Sequence, residues 1–177
     1  KKRIVKTSQT DSNVLLYGET GTGKELAAHA IHDSSKRANM RFISQNCAAI
    51  PENLLESILF GTVRGGFTNA ENRMGLFEAA NRGTLFLDEI NSMDTGFQAK
   101  LLKAIEEQKI TRIGGTEQIP VDVRIIAATN VDPSISVANG NLREDLYYRL
   151  KVVQLEIPPL RERKEDIMPL VDYYIKF

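Results

Sequence analysis

The sequence of 177 residues contains one cysteine and two histidines, and its charges cancel, with 23 Lys and Arg against 23 Asp and Glu. The lone Cys47 excludes an internal disulfide and is typical of a protein in a reducing cytoplasm. His29 and His32 lie close together in sequence, but a metal site needs further ligands, for which the sequence offers no pattern. The balanced charge excludes a global field that attracts DNA or membranes, so any contact with nucleic acid would be local or made by another domain.

Long hydrophobic runs are also missing. No apolar stretch approaches the length of a membrane-spanning helix, and the basic residues 1–3 are not followed by the apolar segment of a signal peptide. We therefore expect a cytoplasmic protein without membrane contact, and we expect the chain to be an excised domain. The apolar share of 42% is sufficient for the core of a single domain.

Apolar runs typical of strands alternate along the chain with stretches typical of helices. The predicted strands are 14–17, 41–44, 84–87, 123–127 and 152–157. The predicted helices are 25–34, 52–60, 75–80, 96–108 and 143–149. This alternation predicts an α/β fold with a parallel central sheet flanked by helices, in which ligands bind at the carboxyl ends of the strands.

A glycine-rich loop, GETGTGKE, joins the first predicted strand to the first predicted helix. This layout is typical of a P-loop, in which glycines let backbone N–H groups turn onto phosphate oxygens at a helix N-terminus. The lysine, Lys24, would reach the β- and γ-phosphates of a nucleoside triphosphate. The residues expected to contact the nucleotide are Gly18, Glu19, Thr20, Gly21, Thr22, Gly23, Lys24 and Glu25.

The residue after this lysine, Glu25, stands where most P-loops carry a Ser or Thr hydroxyl that ligates Mg²⁺. A carboxylate at this position is favoured by the helix dipole simply as a first-turn residue. Metal coordination by Glu25 itself is the alternative, although a second carboxylate would crowd the charge of the triphosphate.

Two acids, Asp88 and Glu89, follow the apolar run 84–87. In a P-loop enzyme this is the Walker B arrangement, in which the first acid supports Mg²⁺ and the second orients and deprotonates the attacking water. Taken alone the pair would indicate a helix N-cap, but the P-loop upstream favours catalysis. Asn130, after the fourth predicted strand, would sense the γ-phosphate or position the water, or would only form a turn.

Several long motifs, met in order along the whole chain, resemble the central ATPase domain of sigma-54-dependent transcription activators (bacterial enhancer-binding proteins), a branch of the AAA+ proteins. The matching segments are GETGTGKE, FISQNCAAI, GGFTNA, GTLFLDEI, VDVRIIAATN, LREDLYYRL and IPPLRERKEDI. The resemblance implies a P-loop NTPase AAA+ core that binds ATP and Mg²⁺ and hydrolyses ATP to remodel sigma-54 RNA polymerase, which promotes open-complex formation. It also implies a homo-oligomeric ring, a hexamer in the family, and promoter-upstream DNA bound through a separate domain. Within the family, the chain is most similar to regulators of arginine and amino-acid utilisation.

The resemblance also assigns roles near the phosphates. Glu25 is the normal residue of the family at its position, which implies that Mg²⁺ is held by Asp88, the phosphates and water. Asn46 matches the switch asparagine, whose side-chain amide holds the catalytic Glu89 in an inactive orientation.

Arg143 and Arg149 match the arginine-finger positions of the family. In AAA+ rings, a guanidinium from one subunit completes the site of its neighbour and raises the rate of hydrolysis about a thousandfold or more. The alternative is that both are surface arginines paired with Glu144 or Asp145. We expect both arginines to lie at the subunit interface.

The segment GGFTNA stands where the family carries the GAFTGA loop that contacts the sigma-54 factor. It consists of Gly65, Gly66, Phe67, Thr68, Asn69 and Ala70. Phe67 among small residues suits an exposed aromatic anchor for a partner. Gly66 replaces alanine and adds backbone freedom, whereas Asn69 replaces a glycine, although Asn tolerates the left-handed region well. A second loop, residues 112–116, is either an ordinary hairpin or moves with the first.

The resemblance divides the chain into an α/β ATPase core, residues 1–160, and residues 161–177, a linker with the first part of a helical lid. Because most of the lid would be missing, we expect the fragment to bind nucleotide weakly and to be a weak ATPase. An alternative function is a nucleotide-binding oligomerisation module that acts on a different partner without sigma-54 remodelling, which only Asn69 favours. An unrelated AAA+ remodeller would leave the GGFTNA segment unexplained.

Overall fold

The structure is a computed structural model that describes residues 2–66 and 70–175. Its strands are β1 (Val14–Tyr17), β2 (Phe42–Asn46), β3 (Gly61–Thr62), β4 (Arg73–Met74), β5 (Thr84–Asp88), β6 (Lys109–Ile110), β7 (Ile119–Pro120), β8 (Arg124–Thr129) and β9 (Val153–Glu156). Five of them form a parallel sheet in the order β2-β5-β8-β1-β9. The residues that follow β2, β5, β8 and β1 therefore lie side by side at the carboxyl edge of the sheet, where open α/β sheets bind their ligands.

The helices connect these strands and cover both faces of the sheet. They are α1 (Lys2–Ser8), α2 (Lys24–Asp33), α3 (Glu52–Phe60), α4 (Leu76–Ala79), α5 (Thr95–Glu107), α6 (Pro133–Ala138), α7 (Glu144–Leu150) and α8 (Ile167–Ile175). Short 3-10 helices cover Ile90–Ser92, Leu160–Glu162 and Lys164–Asp166. Two antiparallel pairs, β3 with β4 and β6 with β7, stand outside the main sheet. Within the described residues, no helix combines the length and apolarity that a membrane span requires.

Strand β8 shows why the strand sequences are apolar on both sides. Ile125 and Ala127 belong to the larger core cluster, with residues of α3, α4, α5 and α7, whereas Ile126 and Ala128 pack with α2 on the opposite face. Because helices cover both faces, the inner residues of this central parallel strand are all buried, and residues 125–128 read as a continuous apolar run. The prediction of a parallel α/β sheet flanked by helices is confirmed.

All ten predicted elements are present, and their ends agree with the structure to within two residues. The prediction missed helices α1 and α6 and the short pair of β3 with β4, whereas the pair of β6 with β7 agrees with the hairpin alternative for residues 112–116. Helix α6 is defined by its cap, since the carboxylate of Asp132 accepts the Ser134 N–H at 2.8 Å and Pro133 occupies the first turn.

A buried arginine, Arg124, fixes helix α1 against the sheet. Its side chain is 1% exposed, and its guanidinium donates to the carbonyl oxygens of Thr7 at 2.9 Å and Ser12 at 3.2 Å. Burial lowers the pKa of Arg124, because desolvation disfavours the charged form. His32 is also buried, with Nδ1 2.9 Å from the Thr84 hydroxyl, so it has a structural contact in the core.

Candidate nucleotide-binding and catalytic site

The P-loop occupies the turn between β1 and α2, as predicted. Gly23 adopts φ 87°, a left-handed backbone that glycine accepts without steric cost, and it caps the N-terminus of α2. Lys24 is 7% exposed, and its ammonium group donates to the carbonyl oxygens of Gly18 at 2.9 Å and Glu19 at 3.1 Å. The positive charge of the lysine thus lies over the loop, at the N-terminus of a ten-residue helix that itself favours anions.

A cavity of about 830 Å³ opens beside the P-loop. Its walls are the P-loop, helix α1, the end of β9, and helix α8 with the turn before it. The volume lies within the range of small-molecule pockets, and apolar side chains such as Ile4, Leu155 and Leu170 line it next to the polar loop. This arrangement suits a ligand with an apolar ring at one end and phosphates at the other.

Two arginines beyond β9 contact the P-loop, although the sequence predicted only a charged linker there. The guanidinium of Arg161 forms a two-pronged ion pair with Glu19, with Nη1 2.8 Å from Oε2, and this bond lowers the pKa of Glu19. Arg163 donates to the Thr22 carbonyl oxygen at 2.6 Å. The segment that leads to α8 is therefore attached to the loop that would hold the phosphates.

The two acids lie at the carboxyl end of β5. This strand pairs with β8, which in turn pairs with β1, the strand that leads into the P-loop. Asp88 is the last residue of the strand, and its Oδ1 accepts the Glu89 N–H at 3.0 Å. Glu89 adopts a left-handed backbone with φ 55°, which is uncommon for a residue with a side chain and is typical of functional sites. Its carboxylate makes no capping bond to the following 3-10 helix, so the N-cap alternative for this acid is not what the structure shows.

Asn46 lies at the end of β2, directly opposite Asp88 in the strand register. Its Oδ1 accepts the N–H groups of Ala48 at 2.9 Å and Ala49 at 3.1 Å, and in the described part of the chain it forms no hydrogen bond with Glu89. A bond to Glu89 would therefore have to come from the amide nitrogen of Asn46. The switch role of Asn46 stays a prediction. Burial, followed by the nearby acids, raises the pKa of the adjacent Cys47 to about 12.

Glu25 is exposed in the first turn of α2, and its Oε1 accepts the Ser44 hydroxyl at 2.8 Å. The carboxylate thus contacts strand β2, in agreement with the first-turn alternative. Among the described residues, no three His, Cys, Asp or Glu side chains come together as a metal site. A lone Asp88 beside a phosphate-binding loop suits Mg²⁺, which commonly uses one or two carboxylates with phosphates and water.

Asn130 follows β8, and its Oδ1 accepts a hydrogen bond of 3.2 Å from Nδ2 of Asn91. Sequence reasoning missed Asn91, which lies two residues after Glu89 in the 3-10 helix. The only local signal is a polar amide close behind the two acids, and the contact itself depends on the pairing of β5 with β8.

Comparison with known proteins identifies this arrangement. A family model described as "Sigma-54 interaction domain" matches residues 1–156. The chain belongs to this family. Transcriptional activator RocR of Bacillus subtilis (strain 168) is 59% identical over 171 residues, which are 97% of this chain and 37% of RocR. The crystal structure of NtrX from Brucella abortus in complex with ATP has a TM-score of 0.90 at 39% identity and covers 99% of this chain and 40% of that chain.

A P-loop NTPase domain from E. coli, 22% identical with a TM-score of 0.60, covers 90% of this chain and 92% of that chain and supports the fold alone. The chain spans less than half the length of the curated relatives it matches. Membership confirms the predictions of a sigma-54 interaction domain and of an AAA+ P-loop ATPase fold.

The two predicted finger arginines lie at opposite ends of α7 in this sigma-54 interaction domain. Arg143 pairs with Asp145, with Nη2 2.7 Å from Oδ2, which raises the pKa of Arg143 and matches the surface-pair alternative within one chain. Arg149 is exposed, and neither arginine is among the described residues that line the cavity of their own chain. The finger role of either arginine, which involves a second copy of the chain, stays a prediction.

The GGFTNA segment is described only in part, because Phe67, Thr68 and Asn69 lie outside the described residues. The residues before it are attached to the second loop: Val63 N–H donates to the Ile113 carbonyl at 3.1 Å, and Ile113 N–H donates to Gly61 at 3.0 Å. The second loop is thus the tip of the β6–β7 hairpin and is also bonded to the first loop.

Gly66 and Gly114 allow this contact, so Gly66 does more than add backbone freedom. A Cβ on Gly66 would lie 2.9 Å from both the Gly114 Cα and the Ile113 carbonyl oxygen, closer than real Cβ atoms approach. Gly114 also adopts φ 77°, and a Cβ there would collide with the Gly66 Cα. The second loop is fixed further by Arg112, whose Nη2 lies 2.7 Å from Oε2 of Glu78 in helix α4.

Gly114→Ala is expected to lower the free energy of unfolding by roughly 1–3 kcal/mol, because the new Cβ forces the two loops apart. Hydrogen exchange at the amides of Val63 and Ile113 should become faster in the variant. The matched control is Gly140→Ala, since Gly140 has φ 75° but nothing within 4 Å of its Cβ position. Equal costs for the two variants would show that backbone strain, and not the contact between the loops, constrains position 114.

Proposed function

We propose that this chain is the ATP-hydrolysing domain of a transcriptional activator that remodels sigma-54 RNA polymerase and so promotes open-complex formation. One observation carries the proposal: a P-loop with a buried Lys24 lies at the same sheet edge as Asp88 and Glu89, in a chain that matches the sigma-54 interaction domain over residues 1–156. The ATP complex of NtrX, 39% identical, supports ATP as the nucleotide.

Within the site, the chain's own residues bind the phosphates and move a proton. The P-loop N–H groups and Lys24 hold the phosphates. Asp88 would be the protein ligand of Mg²⁺, which would supply positive charge that polarises the phosphate oxygens. Glu89 accepts a proton from the attacking water, and Asn130 contacts the terminal phosphate. Asn46 controls the orientation of Glu89 through its amide nitrogen.

The proposal includes assembly into a homo-oligomeric ring, a hexamer, in which Arg143 and Arg149 of one copy act on the nucleotide of the next. A separate domain binds promoter-upstream DNA, and the protein acts in the cytoplasm. The similarity to RocR, 59% identical, supports a regulator of arginine utilisation.

Residues 1–160 form the ATPase core of this proposal, and residues 161–177 are the linker and the first helix of the lid. The bonds from Arg161 to Glu19 and from Arg163 to Thr22 give that linker a direct contact with the P-loop. Movement of the lid would then act on the loop that holds the phosphates.

The partner-binding residues of the proposal are Gly65, Gly66, Phe67, Thr68, Asn69 and Ala70. The test is stable capture of sigma-54 by the protein at its natural length, in the presence of ADP and a metal fluoride. Phe67→Ala is expected to weaken capture at least about tenfold, as for an aromatic interface anchor, with little change in ATPase rate. Met40→Ala, which removes an exposed apolar side chain elsewhere, should leave capture unchanged.

The alternative is a nucleotide-binding oligomerisation module that acts on another partner without sigma-54 remodelling. It rests on Asn69, which stands where the family carries a glycine. Robust ATP hydrolysis by the unaltered protein without any capture of sigma-54 would favour this alternative and overturn the sigma-54 proposal.

A further inference from the structure

Three polar side chains form a chain of hydrogen bonds at the carboxyl edge of the sheet. The Thr129 hydroxyl lies 2.9 Å from Oδ1 of Asn91, and Nδ2 of Asn91 lies 3.2 Å from Oδ1 of Asn130. Thr129 is fully buried, and the two asparagines are partly buried. Both polar atoms of the Asn91 amide are therefore bonded, Oδ1 to Thr129 and Nδ2 to Asn130.

This bonded chain connects two segments that carry the proposed catalytic groups. Asn91 belongs to the 3-10 helix Ile90–Ser92, which begins directly after Glu89 and is anchored by the fully buried Ile90. The Ser92 hydroxyl donates to the Glu89 carbonyl oxygen at 2.6 Å, which fixes the start of the same helix. Asn91 thus occupies a defined place between the two acids and the end of β8.

The direction of the bond to Asn130 has a chemical consequence. The carboxamide of asparagine has an accepting oxygen on one side and two donating N–H bonds on the other. Because Asn91 donates to Oδ1 of Asn130, this oxygen faces Asn91. The N–H donors of Asn130 then point to the opposite side of its carboxamide. Phosphate oxygens accept hydrogen bonds, so this is the orientation that binds a phosphate, and the reversed orientation would repel it.

We propose that Asn91 is a positioning residue, which fixes the amide orientation of Asn130 and thereby sets the preference of the site for a nucleoside triphosphate over a diphosphate. The inference rests on the proposed function, in which Asn130 contacts the terminal phosphate. The Thr129 hydroxyl holds Asn91 in turn. The same hydroxyl accepts the Val131 N–H at 3.2 Å and lies 3.0 Å from the Val131 carbonyl oxygen.

The test measures the dissociation constants of ADP and of a non-hydrolysable ATP analogue for the protein at its natural length. Asn91→Ala is expected to lower the preference for the triphosphate by about threefold to tenfold, as for one lost hydrogen-bond contribution, while the ADP constant stays unchanged. Asn139→Ala, which changes an exposed asparagine directly after α6, is the matched control and should change neither constant. A general loss of structure would weaken the binding of both nucleotides together.

A double-mutant cycle separates this inference from the function on which it rests. If Asn91 acts through Asn130, the variant with both residues changed to alanine loses no more preference than Asn130→Ala alone. Two outcomes would overturn the positioning role alone. In the first, the losses of triphosphate preference in the two single variants add up in the double variant. In the second, Asn91→Ala keeps the full preference while Asn130→Ala loses it. A full preference in Asn130→Ala would overturn the proposed contact with the terminal phosphate and the inference with it.

Thr129 supplies a second variant that keeps the side-chain volume. Thr129→Val removes the hydroxyl and should lower the triphosphate preference in the same direction as Asn91→Ala. Thr129→Ser keeps the hydroxyl and should restore the preference. Equal preferences for the valine and serine variants would contradict the bonded chain as the cause.

Discussion

Glu89→Gln is expected to lower the rate of ATP hydrolysis by about a hundredfold or more, with little change in nucleotide affinity. Glutamine has nearly the same shape as glutamate, but its amide cannot accept a proton from water, and loss of a general base costs about 10² to 10⁴ in rate. Affinity should persist because the groups proposed to hold the phosphates, Lys24 and the P-loop backbone, are untouched. The measurement compares steady-state phosphate release with the dissociation constant of a non-hydrolysable analogue.

The matched control for this prediction is Glu106→Gln on the exposed face of α5, which should leave both quantities unchanged. The backbone of Glu89 is left-handed, so the isosteric change tests the carboxylate without disturbing the φ of 55°. A rate within threefold of the unaltered protein would show that another group removes the proton. Loss of affinity together with rate would instead assign Glu89 to binding.

Arg149→Ala is expected to reduce hydrolysis about a thousandfold in the assembled protein, because a finger guanidinium offsets charge that develops on the transferred phosphoryl group. The arginine is exposed at the end of α7, so its guanidinium is accessible to a neighbouring copy. Arg143→Ala is expected to act in the same direction. The control is Arg41→Ala, another exposed arginine.

Mixing two inactive variants tests the action between copies. Chains with Lys24→Ala lack the phosphate-binding lysine, and chains with Arg149→Ala lack the finger. In a mixed ring, some interfaces join an intact P-loop to an intact arginine, so part of the hydrolysis rate should return. If mixing restores nothing while mixed assemblies form, Arg149 is not a finger that acts between copies.

The sequence predicted the strands well because their apolar runs are a local signal, and it misplaced ends where pairing decides them. The predicted end of the fourth strand was residue 127, yet β8 continues to Thr129 because Ala128 and Thr129 pair with Leu16 and Tyr17 of β1. β2 likewise continues to Asn46, opposite Asp88. Polar residues at strand ends carry little strand signal of their own, and the neighbouring strand supplies the reason for their extension.

The position of a motif in the fold was predicted where the pattern is local, and contacts between distant residues were missed. The P-loop lies between β1 and α2, Asp88 ends β5 and Glu89 follows it, as the local patterns indicated. Asn91 reaches Asn130 across 39 positions, and Arg161 reaches Glu19 across 142 positions. Charge and polarity reveal that such residues exist, but only the order of the strands and the path of the chain after β9 decide their partners.

The close approach of Gly66 to Gly114 limits which sequences the two loops can take. Every amino acid other than glycine carries a Cβ, so any missense change at either position introduces an atom where the other backbone already lies. Variants of the GGFTNA segment with a side chain at position 66, where the family carries alanine, therefore require the two loops to move apart or the spacing of the hairpin to change. In the design of a mutant library, the two positions belong to one unit and are best held fixed while Phe67, Thr68 and Asn69 vary.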